Sequence, residues 1–200
     1  MKIVIIKYNA GNVQSVLFAL ERIGIQGVLS DNAEEICSAD KVIFPGVGEA
    51  GSAMTFLKEK KLDKVICNLT QPTLGICLGL QLMCTKSEEG NTNCLGIFPL
   101  EVKKFAPTLK GEITKVPQIG WNNIYDLKAN LFNGVKENEY MYFVHGYYAE
   151  LGIDTVATTN YIVKYSSALQ KNNFYGVQFH PEKSSETGQR ILKNFLALNP

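Results

Sequence analysis

The sequence predicts an α/β fold, a doubly wound and mostly parallel sheet flanked by helices, with an antiparallel or mixed β extension. Three observations carry this expectation. The run Ile3-Val4-Ile5-Ile6 is apolar without alternation, as expected of a strand buried on both faces. Strand-like and helix-like patterns then alternate as far as Met83. From residue 95 to 178 the pattern changes to short β-like runs separated by turn residues.

The elements follow in order. Asn9-Ala10-Gly11-Asn12 reads as a turn, with Asn12 able to cap a helix. Val13, Val16, Leu17, Leu20 and Ile23 then share one helical face, and Gly24 closes that helix. A short strand is expected near Gly27 to Leu29. Another runs from Lys41 to Phe44 and ends at Pro45-Gly46-Val47-Gly48. Helices are expected over 49–59 and 61–69, a strand over 73–76, and a helix directly after Cys77. In the second half, β-like runs cover Ile97 to Val102, Tyr140 to Val144, Thr155 to Thr158, Ser167 to Leu169 and Tyr175 to Phe179. Helix there is expected only near 127–133. Ser184 to Leu198 reads as a closing helix, capped by Ser184 or Ser185, with Ile191, Leu192, Phe195 and Leu196 inward. With no internal repeat, low-complexity tract or linker, residues 1–200 read as one domain.

Composition narrows the function classes. An apolar content of 46% supports a sizeable core, and a formal net charge of +1 gives no electrostatic reason to expect nucleic acid or a membrane as partner. No apolar stretch approaches the length of a membrane span. Met1-Lys2 followed by four apolar residues looks like the start of a signal peptide, but a cleavage pattern is missing and a buried strand is the better reading. The cysteines are Cys37, Cys67, Cys77, Cys84 and Cys94, an odd number with no C-x-x-C pair. That argues against a zinc site or disulfide framework and for a reducing cytoplasm. Cys67 and Cys84 lie in helix-like apolar runs and read as core.

Chemistry concentrates in three places. Gly75-Ile76-Cys77-Leu78-Gly79 follows a short strand and opens a helix, the layout of a nucleophile elbow with cysteine as nucleophile. Glycine on either side lets backbone segments approach where a Cβ would collide. The turn places the sulfur at a helix N-terminus, where unpaired N–H groups favour thiolate, and directs the Leu78 N–H toward a developing oxyanion. A cysteine in an apolar run is otherwise a small core residue. His180 ends a strand-like run in Phe179-His180-Pro181-Glu182, and Glu182 is placed to orient its imidazole. A surface histidine before a turn is the plainer alternative. His145, in an aromatic strand context, reads as a satisfied, partly buried histidine. Pro45-Gly46-Val47-Gly48 is either a second source of oxyanion N–H groups or a plain β–α loop.

Together, Pro45 to Gly48, Gly75 to Glu89, Ile119 to Asn122, Tyr142 to Tyr147 and Gln178 to Ser184 resemble the class I (triad-type) glutamine amidotransferases. Within that class they are similar to the glutaminase subunits of imidazole glycerol phosphate synthases, and the resemblance spans essentially the whole chain. It implies that Cys77 attacks the side-chain amide of L-glutamine, that His180 moves the proton and that Glu182 holds His180. It implies an oxyanion site from the backbone of Val47 and Leu78. Glutamine would be bound by Gln81 and Glu89 with backbone of Gly48, Gly146 and Tyr147. On residues alone, Gln81 and Glu89 read as a solvated helix face. Ammonia would pass to a (β/α)8 cyclase subunit in a heterodimer, and no metal or organic cofactor is implied.

The chain departs from the family pattern at three points. Lys7-Tyr8-Asn9-Ala10-Gly11-Asn12 stands where Asp-Tyr-Gly-x-Gly-Asn is usual, Gln118 where a histidine is usual, and Gly146 where Ser or Thr is usual. The first two fall in regions that face the synthase in the family, which keeps open a paralogue serving a sugar-amidinating partner in surface-polysaccharide pathways. A non-catalytic binding subunit is disfavoured by the intact Cys77, His180 and Glu182, and a cysteine peptidase by Gln81 and Glu89.

Overall fold

The structure is a computed structural model that describes residues 1–9, 13–109 and 111–199. The expected Asn12 cap and the Ala10-Gly11 part of its turn lie outside the described residues. The elements are β1 (Ile3–Ile6), α1 (Val13–Arg22), β2 (Gly27–Ser30), α2 (Ala33–Cys37), β3 (Lys41–Phe44), α3 (Ala50–Glu59), α4 (Leu62–Cys67), β4 (Thr73–Ile76) and α5 (Leu78–Met83). Then come β5 (Lys86–Ser87), β6 (Thr92–Asn93), β7 (Glu101–Lys104), β8 (Thr108–Leu109), β9 (Glu112–Ile113), β10 (Gln118–Asn123), β11 (Tyr140–His145) and β12 (Tyr147–Ala149). The chain closes with β13 (Thr155–Asn160), β14 (Lys164–Lys171), β15 (Phe174–Val177) and α6 (Ser185–Ala197).

The main sheet runs β2-β1-β3-β4-β15-β14-β12-β7-β5-β6, with β13 paired to β14. Its first five strands are mutually parallel, and antiparallel pairing begins at β15–β14. The expected parallel sheet with an antiparallel extension is therefore what forms. Alternate residues of β1 enter different cores: Ile3 and Ile5 pack with Leu20 of α1 and Phe195 of α6, whereas Val4 and Ile6 pack with Ile36, Leu57 and Ile66 from α2, α3 and α4. A strand covered by helices on both sides must be apolar at every position, which is why Ile3–Ile6 shows no alternation.

Gly24 ends α1 as expected. Its φ is +79°, its N–H donates to Glu21 O at 2.9 Å, and the Ile25 N–H reaches Leu20 O at 3.0 Å, the paired bonds of a Schellman cap.

Several expectations need correction. The run Ile97 to Val102 is not one strand: β7 begins at Glu101, because Pro99 has no N–H to give a ladder. Helix α2 and strand β10 carried no clear sequence period, α2 being a single turn capped by Asn32 Oδ1 on the Glu35 N–H at 3.0 Å. The expected helix near 127–133 is only a 3-10 turn at Asn130–Phe132. Cys67 is exposed rather than core: Leu62 and Ile66 take the buried stripe of α4, and the next residue turns out of it. Cys84 is buried as expected. Ser184 occupies the N-cap position of α6 but does not cap it, since its hydroxyl donates to His180 O at 2.6 Å.

Among the described residues no helix is long and apolar enough to cross a membrane, and no cluster of His, Cys, Asp or Glu could hold a metal ion.

Candidate active site

Cys77 stands at the carboxyl end of β4, immediately before α5, with φ 53° and ψ −107°. That left-handed φ costs a non-glycine residue about 1–3 kcal/mol and persists only where the surroundings enforce it. They do so by close packing. A Cβ on Gly79 would lie 1.9 Å from the Phe44 carbonyl oxygen, and one on Gly75 would lie 2.8 Å from the Gly79 carbonyl carbon and the Leu80 nitrogen. The two glycines allow β3, β4 and α5 to meet at the turn, as the sequence spacing implied.

The histidine arrives on the neighbouring strand. β4 and β15 pair in register, Ile76 against Val177, and the Cys77 N–H donates to Val177 O at 2.8 Å. Residues just past the two strand ends therefore face one another, although about a hundred positions separate them in sequence. His180 is held by its N–H on Tyr142 O at 2.9 Å and by the Ser184 hydroxyl on its carbonyl. The same hydroxyl accepts the Tyr142 N–H at 2.9 Å, so β11, His180 and the start of α6 are locked together. Pro181 begins a 3-10 turn, Pro181–Lys183, that folds Glu182 back on the ring. His180 Nδ1 and Glu182 Oε1 are 2.7 Å apart, with both side chains 1% exposed, and Arg22 Nη2 donates to the Glu182 carbonyl at 3.1 Å.

Burial by itself would lower the imidazole pKa. The Cys77 thiolate and the Glu182 carboxylate outweigh it and push His180 up to about 10. Nδ1 is taken by Glu182, and Cys77 acts on the ring through both charge and a side-chain hydrogen bond. A cysteine, an imidazole and a carboxylate are thus brought together, an arrangement chemically capable of nucleophilic catalysis.

A cavity of about 290 Å³ opens beside the sulfur, lined by Val47, Gly48, Cys77, Leu78, Gln81, Glu89, Val144, His145, Gly146 and Tyr147. Every substrate-binding and oxyanion residue expected from the sequence lines it. At one end, Glu89 Oε2 accepts the Ala50 N–H at 2.8 Å, and Glu49 caps α3 by accepting from Gly51 N and Ser52 N, each at 2.7 Å. Burial raises the Glu89 pKa, the Ala50 N–H lowers it, and the nearby Glu49 charge raises it further. Two carboxylates side by side make this end attractive to a cation.

Two local readings change. Gln81 is buried rather than on a solvated face, and its Nε2 donates to Tyr147 O at 2.9 Å and to Gln178 Oε1 at 3.0 Å. The Leu78 N–H is already engaged, donating to Gly46 O at 3.2 Å. The loop bearing that carbonyl rests on Tyr8, whose hydroxyl donates to Pro45 O at 2.6 Å and would lie 2.1 Å from a Cβ on Gly46. Tyr8 and Gln178 were not singled out from the sequence, although Gln178 lies as far past the end of β15 as Cys77 lies past β4. His145 is buried with Nδ1 2.7 Å from Tyr147 O and Nε2 3.3 Å from the Tyr165 hydroxyl. Burial pushes its pKa down to about 4, which keeps it neutral and within the scaffold.

A family model for class I glutamine amidotransferases matches residues 4–198. The chain belongs to that family. Its relatives include the imidazole glycerol phosphate synthase subunit HisH of Bacteroides fragilis, 56% identical over 198 residues covering 99% of this chain and all of that protein. The subunits of the same name from Bacteroides thetaiotaomicron (53% identical, 99% and 100% covered) and Haemophilus influenzae strain Rd (44% identical, 100% and 99% covered) are also similar end to end. Among solved structures, a glutamine amidotransferase from Thermotoga maritima superposes with a TM-score of 0.66 at 17% identity, covering 98% of this chain and 82% of that one. Another glutamine amidotransferase gives 0.72 at 15% identity over 96% of each chain. At that identity the likeness speaks for the class I amidotransferase fold alone.

Proposed function

We propose that the chain is a glutaminase that releases ammonia from L-glutamine for a (β/α)8 cyclase subunit, which forms imidazole glycerol phosphate in histidine biosynthesis. The observation that carries the chemistry is Cys77, strained at the end of β4, facing a buried His180–Glu182 pair beside an amino-acid-sized cavity. The pathway rests on full-length relatives that carry the synthase-subunit name. No observation favours a sugar-amidinating partner. A cytoplasmic heterodimer with the cyclase fits this reading.

In the proposed reaction the Cys77 thiolate attacks the side-chain carbonyl carbon of glutamine, and the C=O pair moves to oxygen. Collapse of the tetrahedral species breaks the C–N bond, and the His180 imidazolium gives its proton to the leaving nitrogen. Ammonia departs, and a γ-glutamyl thioester remains on Cys77. Water then adds to the thioester as His180 takes its proton, the C–S bond breaks, and glutamate leaves with Cys77 again a thiolate. Glu182 keeps Nδ1–H oriented and stabilises the imidazolium. The Glu89 and Glu49 carboxylates suit the α-ammonium of glutamine. Gly48, Gly146 and Tyr147 line its path, and Gln81 offers only its carbonyl oxygen, because both amide hydrogens are committed.

The oxyanion site needs one rearrangement. With Gly46 O on the Leu78 N–H, a carbonyl occupies the position where negative charge develops. Turning over the Gly46–Val47 peptide would remove that oxygen and bring the Val47 N–H inward. Gly48, at φ +134°, gives the loop the needed freedom.

The test is Cys77→Ala in the reconstituted complex with the cyclase. Glutamine-dependent product formation is expected to vanish, while synthesis from added ammonia continues. The reading fails if glutamine-dependent turnover survives.

A further inference from the structure

Gln178 is fully buried, one residue past the end of β15. An amide with no access to water costs free energy unless both of its ends are satisfied. Here they are. Its Oε1 accepts from Gln81 Nε2 at 3.0 Å, and its Nε2 lies 3.6 Å from the Cys77 sulfur, a normal length for a donor on sulfur. The in-register pairing of β4 with β15 creates this contact, since Cys77 follows Ile76 as Gln178 follows Val177.

The two ends of an amide have nearly the same shape, so which of them faces the sulfur must follow from the network. One group fixes it. The Tyr147 carbonyl oxygen can only accept. It is met by Gln81 Nε2 at 2.9 Å and by His145 Nδ1 at 2.7 Å. Gln81 must therefore turn its NH₂ toward Tyr147, and its second hydrogen then points at Gln178. Gln178 must meet that hydrogen with its oxygen, which leaves its own NH₂ for Cys77. Reversing Gln178 would set two NH₂ groups against each other in a dry interior. A backbone carbonyl on β12 thus dictates, through two glutamines, that the nucleophile receives a donor. The same carbonyl fixes the proton of His145 on Nδ1, leaving Nε2 an acceptor 3.3 Å from the Tyr165 hydroxyl, whose single hydrogen goes to Gln118 Oε1 at 3.0 Å. The orientation of Tyr147 O is in this way held from β11 as well.

We propose that Gln178 is a further functional residue of the nucleophilic site: its amide donates to the Cys77 sulfur and favours the thiolate, and Gln81 is the positioning residue that aims it. A hydrogen bond made to the charged form of a group stabilises that form. Cys77 lines the substrate cavity and Gln178 does not, so the donor reaches the sulfur without itself lining that cavity. Gln81, whose sequence motif suggests a substrate contact, acts in this account mainly on the nucleophile.

The inference rests on Cys77 being the nucleophile of the proposed function, but its test needs no glutamine. The rate of Cys77 alkylation by iodoacetamide is measured against pH on the full chain, read from the mass of the Cys77 peptide. The exposed Cys37 and Cys67 serve as internal references. In Gln178→Met, which keeps the length of the side chain but donates nothing, the Cys77 profile is expected to move to higher pH, with the rate at pH 7 falling about tenfold, while the reference cysteines are unchanged. Gln81→Met should move it in the same direction by less. The double variant should add nothing beyond Gln178→Met, because the two act as one chain. A Gln178→Met profile that overlays that of the parent protein, or single effects that simply sum, would overturn the proposal. If Gln178→Met does not fold, Gln81→Met decides: no shift there refutes the orientation argument. A shifted alkylation profile in a chain whose complex with the cyclase shows no glutamine-dependent turnover would sink the proposed function and leave this inference standing.

Discussion

Replacing Glu182 with glutamine isolates what the carboxylate does, because the side chain keeps its shape and can still accept from His180 Nδ1–H. What is lost is the charge beside a ring that is 1% exposed, at 2.7 Å. A hydrogen bond to a charged partner contributes about 1.5–3 kcal/mol, against about 1 for a neutral one. The difference, roughly 0.5–2 kcal/mol, corresponds to about a two- to thirtyfold fall in kcat/KM for glutamine. The pH profile gives a second readout. Burial pulls the His180 pKa down, and the Cys77 thiolate and Glu182 together push it up to about 10. Removing the Glu182 charge must lower it. Under the proposed function, the acid that protonates leaving ammonia is then lost at lower pH, and the alkaline limb of kcat/KM moves toward neutrality. Steady-state glutaminase assays from pH 6 to 10 on the complex with its cyclase would measure both effects. If Glu182→Gln keeps kcat/KM within about twofold of the parent and the alkaline limb stays in place, Glu182 is not acting electrostatically on His180.

Two further expectations concern the scaffold. In Gly79→Ala the new Cβ would meet the Phe44 carbonyl oxygen at 1.9 Å, a backbone atom that cannot swing aside. Denaturant unfolding should show a loss of about 3 kcal/mol or more, and an unchanged midpoint would disprove the close-approach argument. His145 has a pKa lowered by burial to about 4, so its neutral form supports the fold above its ordinary value near 6.5. That contribution is lost as pH falls from about 6.5 toward 4, by an amount on the order of 3 kcal/mol. His145→Gln should flatten the stability–pH curve in that window, and an equally steep curve would rule out His145 as its source.

Legibility followed how local each determinant was. β1 was readable because burial on both faces leaves a mark on every residue of Ile3–Ile6. The elbow was readable because its steric demand falls on Gly75 and Gly79, two residues either side of the nucleophile. His180 and Glu182 could be paired from sequence because a single turn joins them. Cys67 misled because a short apolar run does not reveal which way a six-residue helix faces. β10 was missed because Gly120 and Asn122 break the β pattern, and pairing with β11 is what makes it a strand. Gln178 was quoted only as part of a motif, since nothing local says that β15 lies beside β4. The Leu78 N–H was expected to be available. Its occupation by Gly46 O depends on the orientation of one peptide plane in a glycine-bordered loop, to which residue identity is nearly indifferent.

The two halves of the site therefore differ in how firmly they are set. His180 is tied to β11 and α6, Cys77 to β15, and Gln178 to α5, so Cys77 and His180 have little freedom. The loop proposed to complete the oxyanion site is closed over Leu78 by one hydrogen bond of 3.2 Å. A neutral backbone bond of that kind is worth about 0.5–1.5 kcal/mol net, or about a two- to tenfold bias toward the closed form. The loop as a whole cannot lift to open it, because Tyr8 grips Pro45 O at 2.6 Å and packs directly under Gly46. Rotation of the single Gly46–Val47 peptide escapes both restraints, since it moves neither Pro45 nor the Gly46 Cα. Under the proposed function this is where a partner can act at small energetic cost: it need not assemble a nucleophile, only turn one peptide. A stimulation much larger than about tenfold must then come from contacts that stabilise the rotated peptide itself, beyond release of the Leu78 bond.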